Sequence, residues 1–180
     1  MIAMVSKLAL IFLAMVVTIG CDRVTKHLAV RSLAGQPEQS WLADTVRLQY
    51  AENTGGFLSF GADWAPATRT TVFTQATGAI LLVLGVAAYR ARHHLWAGLG
   101  LSLFVAGAAS NWLDRLMRGS VIDFLNVGVG PIRTGIFNVA DMAILLGVGM
   151  FVLAKVSHKP AVVDVEPEIP KGPPFQFFQR

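Results

Sequence analysis

Asp123 and Asp141 are the residues of this sequence best suited to chemistry. Asp123 stands in Val121-Ile-Asp123-Phe124, between apolar neighbours. Asp141 closes Phe137-Asn138-Val-Ala140-Asp141 and lies within an apolar run long enough to cross a bilayer. A carboxylate at such a depth is costly, and no basic residue lies within one helical turn of Asp141 to offset it. Burial raises a carboxyl pKa, and a second carboxyl nearby raises one of the two further. A pair in that state holds one proton between its members. One carboxylate can then take a proton from water while the other, protonated, polarises a scissile carbonyl, as in aspartic peptidases.

Other catalytic sets are poorly supplied. His27, His93, His94 and His158 lack metal-ligand spacing, so no metal is expected. The single cysteine, Cys21, can form no intrachain disulfide and has no evident base beside it. A serine–lysine pair with Lys26 is formally open, but Ser59, Ser110 and Ser120 sit in no motif that favours them. Asp114 has a structural explanation in its neighbours Arg115 and Arg118. The remaining polar residues come in helical pairs: Asp22 with Lys26, Asn111 with Asp114, and Asn138 with Asp141, each three or four residues apart.

The elements that must position these residues are membrane helices. The chain is 54% hydrophobic and 14% charged, against about 25% charge in ordinary soluble domains. Its net charge of +4 is read as a topology signal, with no nucleic-acid partner implied. The expected fold is an all-α membrane protein: four transmembrane helices with a small extracytoplasmic β-sheet and a flap loop. The spans are expected at about 7–27, 68–90, 94–115 and 135–156, within one domain of residues 1–156. Loops 28–67 and 116–134 would face outward, and 157–180 would form a flexible cytoplasmic tail. Lys7, Arg90, Arg92, His93, His94, Lys155, Lys159 and Lys171 all fall on one side, which the positive-inside rule makes cytoplasmic, with both termini. Thr18-Ile-Gly-Cys21 has the outline of a lipoprotein cleavage box, but a retained first span is the expectation. In the first outer loop, Thr45 to Tyr50 alternates like a strand, and Asn53-Thr54-Gly55-Gly56 is a turn signal. On this layout the polar pairs gather near the outer surface.

These residues also match a known pattern. Asp22-Arg-Val-Thr25-Lys26, Asn53-Thr54-Gly55, Gly107-Ala108 through Asn111-Trp-Leu-Asp114-Arg115, Val121-Ile-Asp123-Phe124 and Phe137-Asn138-Val-Ala140-Asp141 occur in the order found in bacterial lipoprotein signal peptidases (signal peptidase II). The chain resembles that family over roughly residues 20 to 145. The resemblance implies an aspartic endopeptidase of the bacterial inner membrane. Such an enzyme cuts prolipoproteins before a diacylglyceryl-modified cysteine, without metal or organic cofactor. Its partners would be the prolipoprotein substrates and the bilayer, with the chain acting as a monomer. Asp123 and Asp141 would be catalytic, near the outer (periplasmic) leaflet. Asn53, Gly55, Asn111, Arg115 and Asn138 would line the substrate pocket. Asp22, Lys26, Gly107, Asp114 and Ala140 would give structural support, and residues 53 to 60 would form a flap. The chain departs from the family at Ala106 and Ser110, where glycine is usual, and at Gly56-Phe57-Leu58, where alanine-alanine-phenylalanine is common.

Two other classes compete. A proton-coupled transporter also uses intramembrane acids, but nearer the midplane and in repeated halves, and no repeat is evident here. A structural membrane subunit would use the acids only as interfacial caps, and would tolerate Asp141→Asn.

Overall fold

The structure is a computed structural model that describes residues 2–56 and 59–157. Phe57 and Leu58 of the expected flap, and residues 158–180 of the expected tail, lie outside the described residues.

Helix α1 runs Ile2–Leu33. At 1.5 Å per residue it is about 48 Å long, more than the ~30 Å of a hydrocarbon core. Its far end therefore has other packing to do. Ala29 and Leu33 bury against Ile122, with Val30, Leu48, Tyr50 and Phe124 around them. Leu48 and Tyr50 lie on strand β2 (Val46–Asn53) and Phe124 on β3 (Val121–Val129); with β1 (Gln39–Trp41) and β4 (Ile132–Arg133) these form one antiparallel sheet in the order β1-β2-β3-β4. The strand expected at Thr45 to Tyr50 is the core of β2. β3 was read only as a connection, although Val121 to Val129 is rich in β-branched residues and ends at Gly130-Pro131.

The second long helix is assembled from α2 (Pro66–Arg69), a π-helical turn (Thr70–Ala76) and α3 (Thr77–Ala91). Pro66 opens it at a position that needs no N–H donor. Trp112 Nε1 donates to Thr74 O at 2.7 Å and ties the π turn to α4. α4 (Leu95–Arg118) ends at Gly119 in a left-handed conformation, φ 75°. α5 occupies Val139–Ser157.

Among the described residues, three helices are long and apolar enough to cross a membrane: Val5–Leu33, Pro66–Ala91 and Val139–Ser157. α4 falls short on apolarity, so four spans are not established on this ground. The reason lies in its position, because α4 packs against α1, α3 and α5. Its buried face is made of small residues, including Gly98, Gly100, Ser102, Ala106, Gly107 and Ser110. A side chain at Gly107 would overlap the carbonyl of Ala140, and one at Gly100 would come within 2.8 Å of Gly147 O. This small-residue seam lets α4 and α5 approach backbone to backbone. Short side chains just above it can then meet across the two helices.

The fourth expected span, 135–156, starts later than read. Phe137 pairs with Leu125 as an isolated bridge, which keeps the chain extended through residue 137, and α5 begins at Val139.

Candidate active site

Asn138 caps α5. Its carbonyl accepts from Met142 N, and its Oδ1 accepts from Asp141 N at 3.0 Å. Asp141 Oδ2 accepts from Asn138 N, also at 3.0 Å. The two residues thus form a reciprocal capping box, with Asp141 in the first helical turn. A carboxylate at a helix N-terminus is favoured by the aligned peptide dipoles. Asp141 thus lies within the apolar helix Val139–Ser157, in its first turn.

The remaining donor group of Asn138 reaches the other aspartate. Its Nδ2 donates to Asp123 Oδ1 at 2.6 Å. Asp123 is carried by β3, and its Oδ2 accepts from Asn53 Nδ2 on β2 at 3.1 Å. A register shift between Leu48 and Ala51 interrupts the β2–β3 ladder just before this contact. Bulges of this kind commonly re-aim a side chain beside a site. Asp123 is 3% exposed. Burial, and then the neighbouring Asp141 charge, push its pKa up to about 6.

Asp141 Oδ1 accepts from Asn111 Nδ2 at 2.8 Å. Asn111 Oδ1 in turn accepts from Lys26 Nζ at 2.7 Å. An ammonium group has no acceptor to offer, so Lys26 fixes which end of the Asn111 amide faces the aspartate. The Lys26 ammonium also forms ion pairs with Asp22 Oδ2 and Asp114 Oδ2, each at 2.7 Å. Asp22 also accepts from Ser110 Oγ at 2.7 Å and from Ala140 N at 2.9 Å, which satisfies another N–H at the start of α5. Arg23 binds Asp114 Oδ1 at 2.6 Å and Ser110 O at 3.2 Å. The cluster therefore sets two acids against two bases.

The partners expected for Asp114 need correction. It pairs with Arg23 and Lys26 of α1, not with Arg115 or Arg118. Successive helical residues point about 100° apart. Arg115 consequently faces elsewhere, and its Nη2 donates to Gly55 O at 2.6 Å. Gly55 N donates to Asn53 Oδ1 at 3.0 Å, and Asn53 Nδ2 also reaches Gly56 O at 3.0 Å. A Cβ on Gly55 would come within 2.5 Å of Phe60 O, so the turn closes only around glycine. Beyond it, Trp64 stacks on Phe73 with centroids 5.6 Å apart, and Phe60 meets Trp64 edge-on at 5.2 Å.

The structure thus brings Asp123, Asp141, Asn53, Asn111 and Asn138 into one hydrogen-bonded group. Asp22, Lys26 and Asp114 stand directly behind it, and Arg115 and Gly55 join it to the loop. Gly107 and Ala140 form the seam beside it. Arg23 was missed in the sequence, although it follows Asp22 directly and could have been paired with an acid on another helix. Among the described residues no group of three or more His, Cys, Asp or Glu stands ready for a metal ion.

The family model for signal peptidase (SPase) II matches residues 14–157. The chain belongs to the signal peptidase II family. It is 34% identical to a lipoprotein signal peptidase of Brevibacillus brevis over 143 residues, covering 79% of this chain and 91% of that one. A lipoprotein signal peptidase of Streptococcus pneumoniae is 29% identical over 156 residues, covering 85% and 96%. A solved bacterial membrane enzyme is similar in fold, with TM-score 0.70 and 25% identity over 84% of this chain and 95% of the other. As a signal peptidase II, the chain is a membrane peptidase that removes signal peptides from lipoproteins. Its departures from the usual family pattern acquire a structural meaning. Ser110 uses its hydroxyl to bind Asp22, and Ala106 is fully buried on the inner face of α4.

Proposed function

We propose that Asp123 and Asp141 are the catalytic pair of an aspartic endopeptidase that cuts prolipoproteins before a diacylglyceryl-modified cysteine. The observation that carries this reading is Asn138, whose backbone and side chain together bind both carboxylates. Two acids held by one residue stand near enough for the Asp141 charge to act on Asp123, as a pair flanking one water requires.

In the mechanism, Asp123 keeps the proton. Its raised pKa favours the neutral acid, and Asp141 is assigned the base, its carboxylate accepting from the Asn138 N–H and the Asn111 amide at the helix end. Asp141 takes a proton from water as the water oxygen attacks the scissile carbonyl. Asp123 donates its proton to the carbonyl oxygen. The tetrahedral intermediate collapses as Asp141 returns its proton to the departing cysteine nitrogen and the new hydroxyl gives one back to Asp123. Atoms and charges balance, and no cofactor is called on. Asn53, Gly55, Asn111, Arg115 and Asn138 line the substrate backbone, and the loop from residue 53 covers it.

The same reading has four spans in one domain of residues 1–156, with α4 as the third, in the bacterial inner membrane. The site lies near the outer leaflet and both termini are cytoplasmic. Support comes from the charges. The polar group sits where α1 and α4 end and α5 starts, while Lys7, Arg90, Arg92 and Lys155 lie at the other end of the helices. The enzyme acts as a monomer on substrates whose lipid stays in the bilayer.

The test is cleavage of a diacylglyceryl-modified prolipoprotein by purified Asp123→Asn and Asp141→Asn. Each should lose about 10³-fold or more in kcat while its unfolding transition is retained. Turnover near the parent level in either variant would refute the pair.

A further inference from the structure

At the end of the molecule away from the aspartates, two grooves meet. The first, about 600 Å³, runs between α3, the start of α4 and the end of α5; its walls include Val83, Val86, Leu101 and Phe151. The second, about 700 Å³, lies on the other side of Lys155 against Trp96, Met150 and Leu153. Both have the size of ordinary ligand sites. They share His94, Ala97 and Lys155, and Arg90 lines the first.

The charge of this end is one-sided. Residues 2–21, 77–113 and 142–157, which build it, contain Lys7, Arg90, Arg92 and Lys155 but no Asp or Glu. Arg92 is occupied by Tyr89, whose carbonyl it binds at 2.7 Å and whose ring it covers at 3.8 Å. Among the described residues, Arg90 and Lys155 enter no ion pair. Lys155 rests over the Phe151 ring at 5.6 Å, on the wall of the first groove. Membrane topology explains the sign of these charges. It does not explain why two of them, from helices far apart in sequence, converge where two apolar grooves join.

We propose that this junction binds one anionic phospholipid, its two acyl chains in the two grooves and its phosphate against Arg90 and Lys155. Two apolar channels leading from one cationic saddle match a molecule with two tails and one charged head. A zwitterionic head would bring its own cation against the same two residues, so the site discriminates by charge. Basic pockets between membrane helices are known to take anionic heads in this way.

The experiment uses the full chain in detergent, titrated with phosphatidylglycerol or phosphatidylcholine of identical acyl chains and read by native mass spectrometry and thermal unfolding. Phosphatidylglycerol should bind roughly 25-fold tighter, about fivefold for each cation, and should raise the unfolding temperature. Arg90→Gln with Lys155→Gln should abolish that preference and change lipid-free unfolding little, since neither residue has an ion pair to lose and only the Lys155 contact with the Phe151 ring goes. Equal binding of the two lipids, or a preference that survives the double substitution, would overturn the proposal. Inorganic phosphate reproducing the thermal shift would also overturn it. So would a preference that appears only after truncation beyond Ser157, because the acidic segment from Asp164 to Glu168 would then be the occupant.

Discussion

Lys26→Met probes the support behind the site most directly. The ammonium group is 2% exposed and the two acids it binds are 0% and 1% exposed. All three of its partners, Asp22, Asp114 and Asn111, stand at 2.7 Å. Methionine retains most of the stem, so little cavity forms and the loss is electrostatic. Asp114 keeps Arg23, but Asp22 is left ionised with only Ser110 Oγ and Ala140 N as donors. Removing one member of a buried pair costs about 3–5 kcal/mol, which for a chain of this length is roughly 6–20 °C in Tm. Adding Asp22→Asn removes the stranded charge. The new amide oxygen can still accept from Ala140 N, and the Ser110 hydroxyl can rotate to accept from the amide nitrogen. The double variant should therefore regain at least half of the lost stability. It should not regain full turnover, because the Asn111 amide then keeps only the longer Asn138 Nδ2 contact, 3.2 Å, to hold its N–H toward Asp141. A loss of about 10²-fold in kcat with little change in KM is expected. Thermal unfolding in detergent and the prolipoprotein cleavage assay measure the two effects. The reasoning fails if Lys26→Met lowers Tm by less than about 3 °C. It also fails if the double variant is no more stable than the single, or cleaves at the parent rate.

Further outcomes are expected. Because Asp123 must be protonated to act and its pKa lies at about 6, kcat/KM should fall on the alkaline side with a midpoint near that value. Asn53→Ala, which removes a bond favouring the charged form, should move this limb to higher pH in a pH–rate profile. The same raised pKa means that between about pH 4 and 6 the folded chain binds a proton the unfolded chain has released. Asp123's contribution to stability should therefore be present at low pH and lost as pH rises through that window, as unfolding at a series of pH values would show. Gly107→Ala forces a methyl group onto the Ala140 carbonyl and should cost about 1–3 kcal/mol, with reduced turnover because Asn111 and Asp141 are pushed apart. Arg115→Lys gives up the Nη2–H that binds Gly55 O and should raise KM more than it lowers kcat.

How much of this was legible in the sequence depends on what each signal measures. Asp123 and Asp141 stood out because a carboxylate among apolar residues needs a reason, and that holds whatever the fold. Their surroundings were harder to read. Hydropathy put Asp141 near the start of the fourth span, but nothing in the apolarity of residues 135–156 marks the residue at which the helix begins. The Asn138-x-x-Asp141 spacing was the available sign of a cap. Sequence adjacency gave Asp114 to Arg115, whereas helical geometry sends the two residues to different neighbours. α4 reverses the usual logic of a span. A helix walled by three others is selected for closeness rather than for oil-likeness, so glycine, alanine and serine replace leucine and its hydropathy drops. That loss is what builds the site. With larger residues at Gly100 and Gly107, α4 and α5 would stand farther apart, and side chains as short as Asn111 and Asp141 could not bridge the gap.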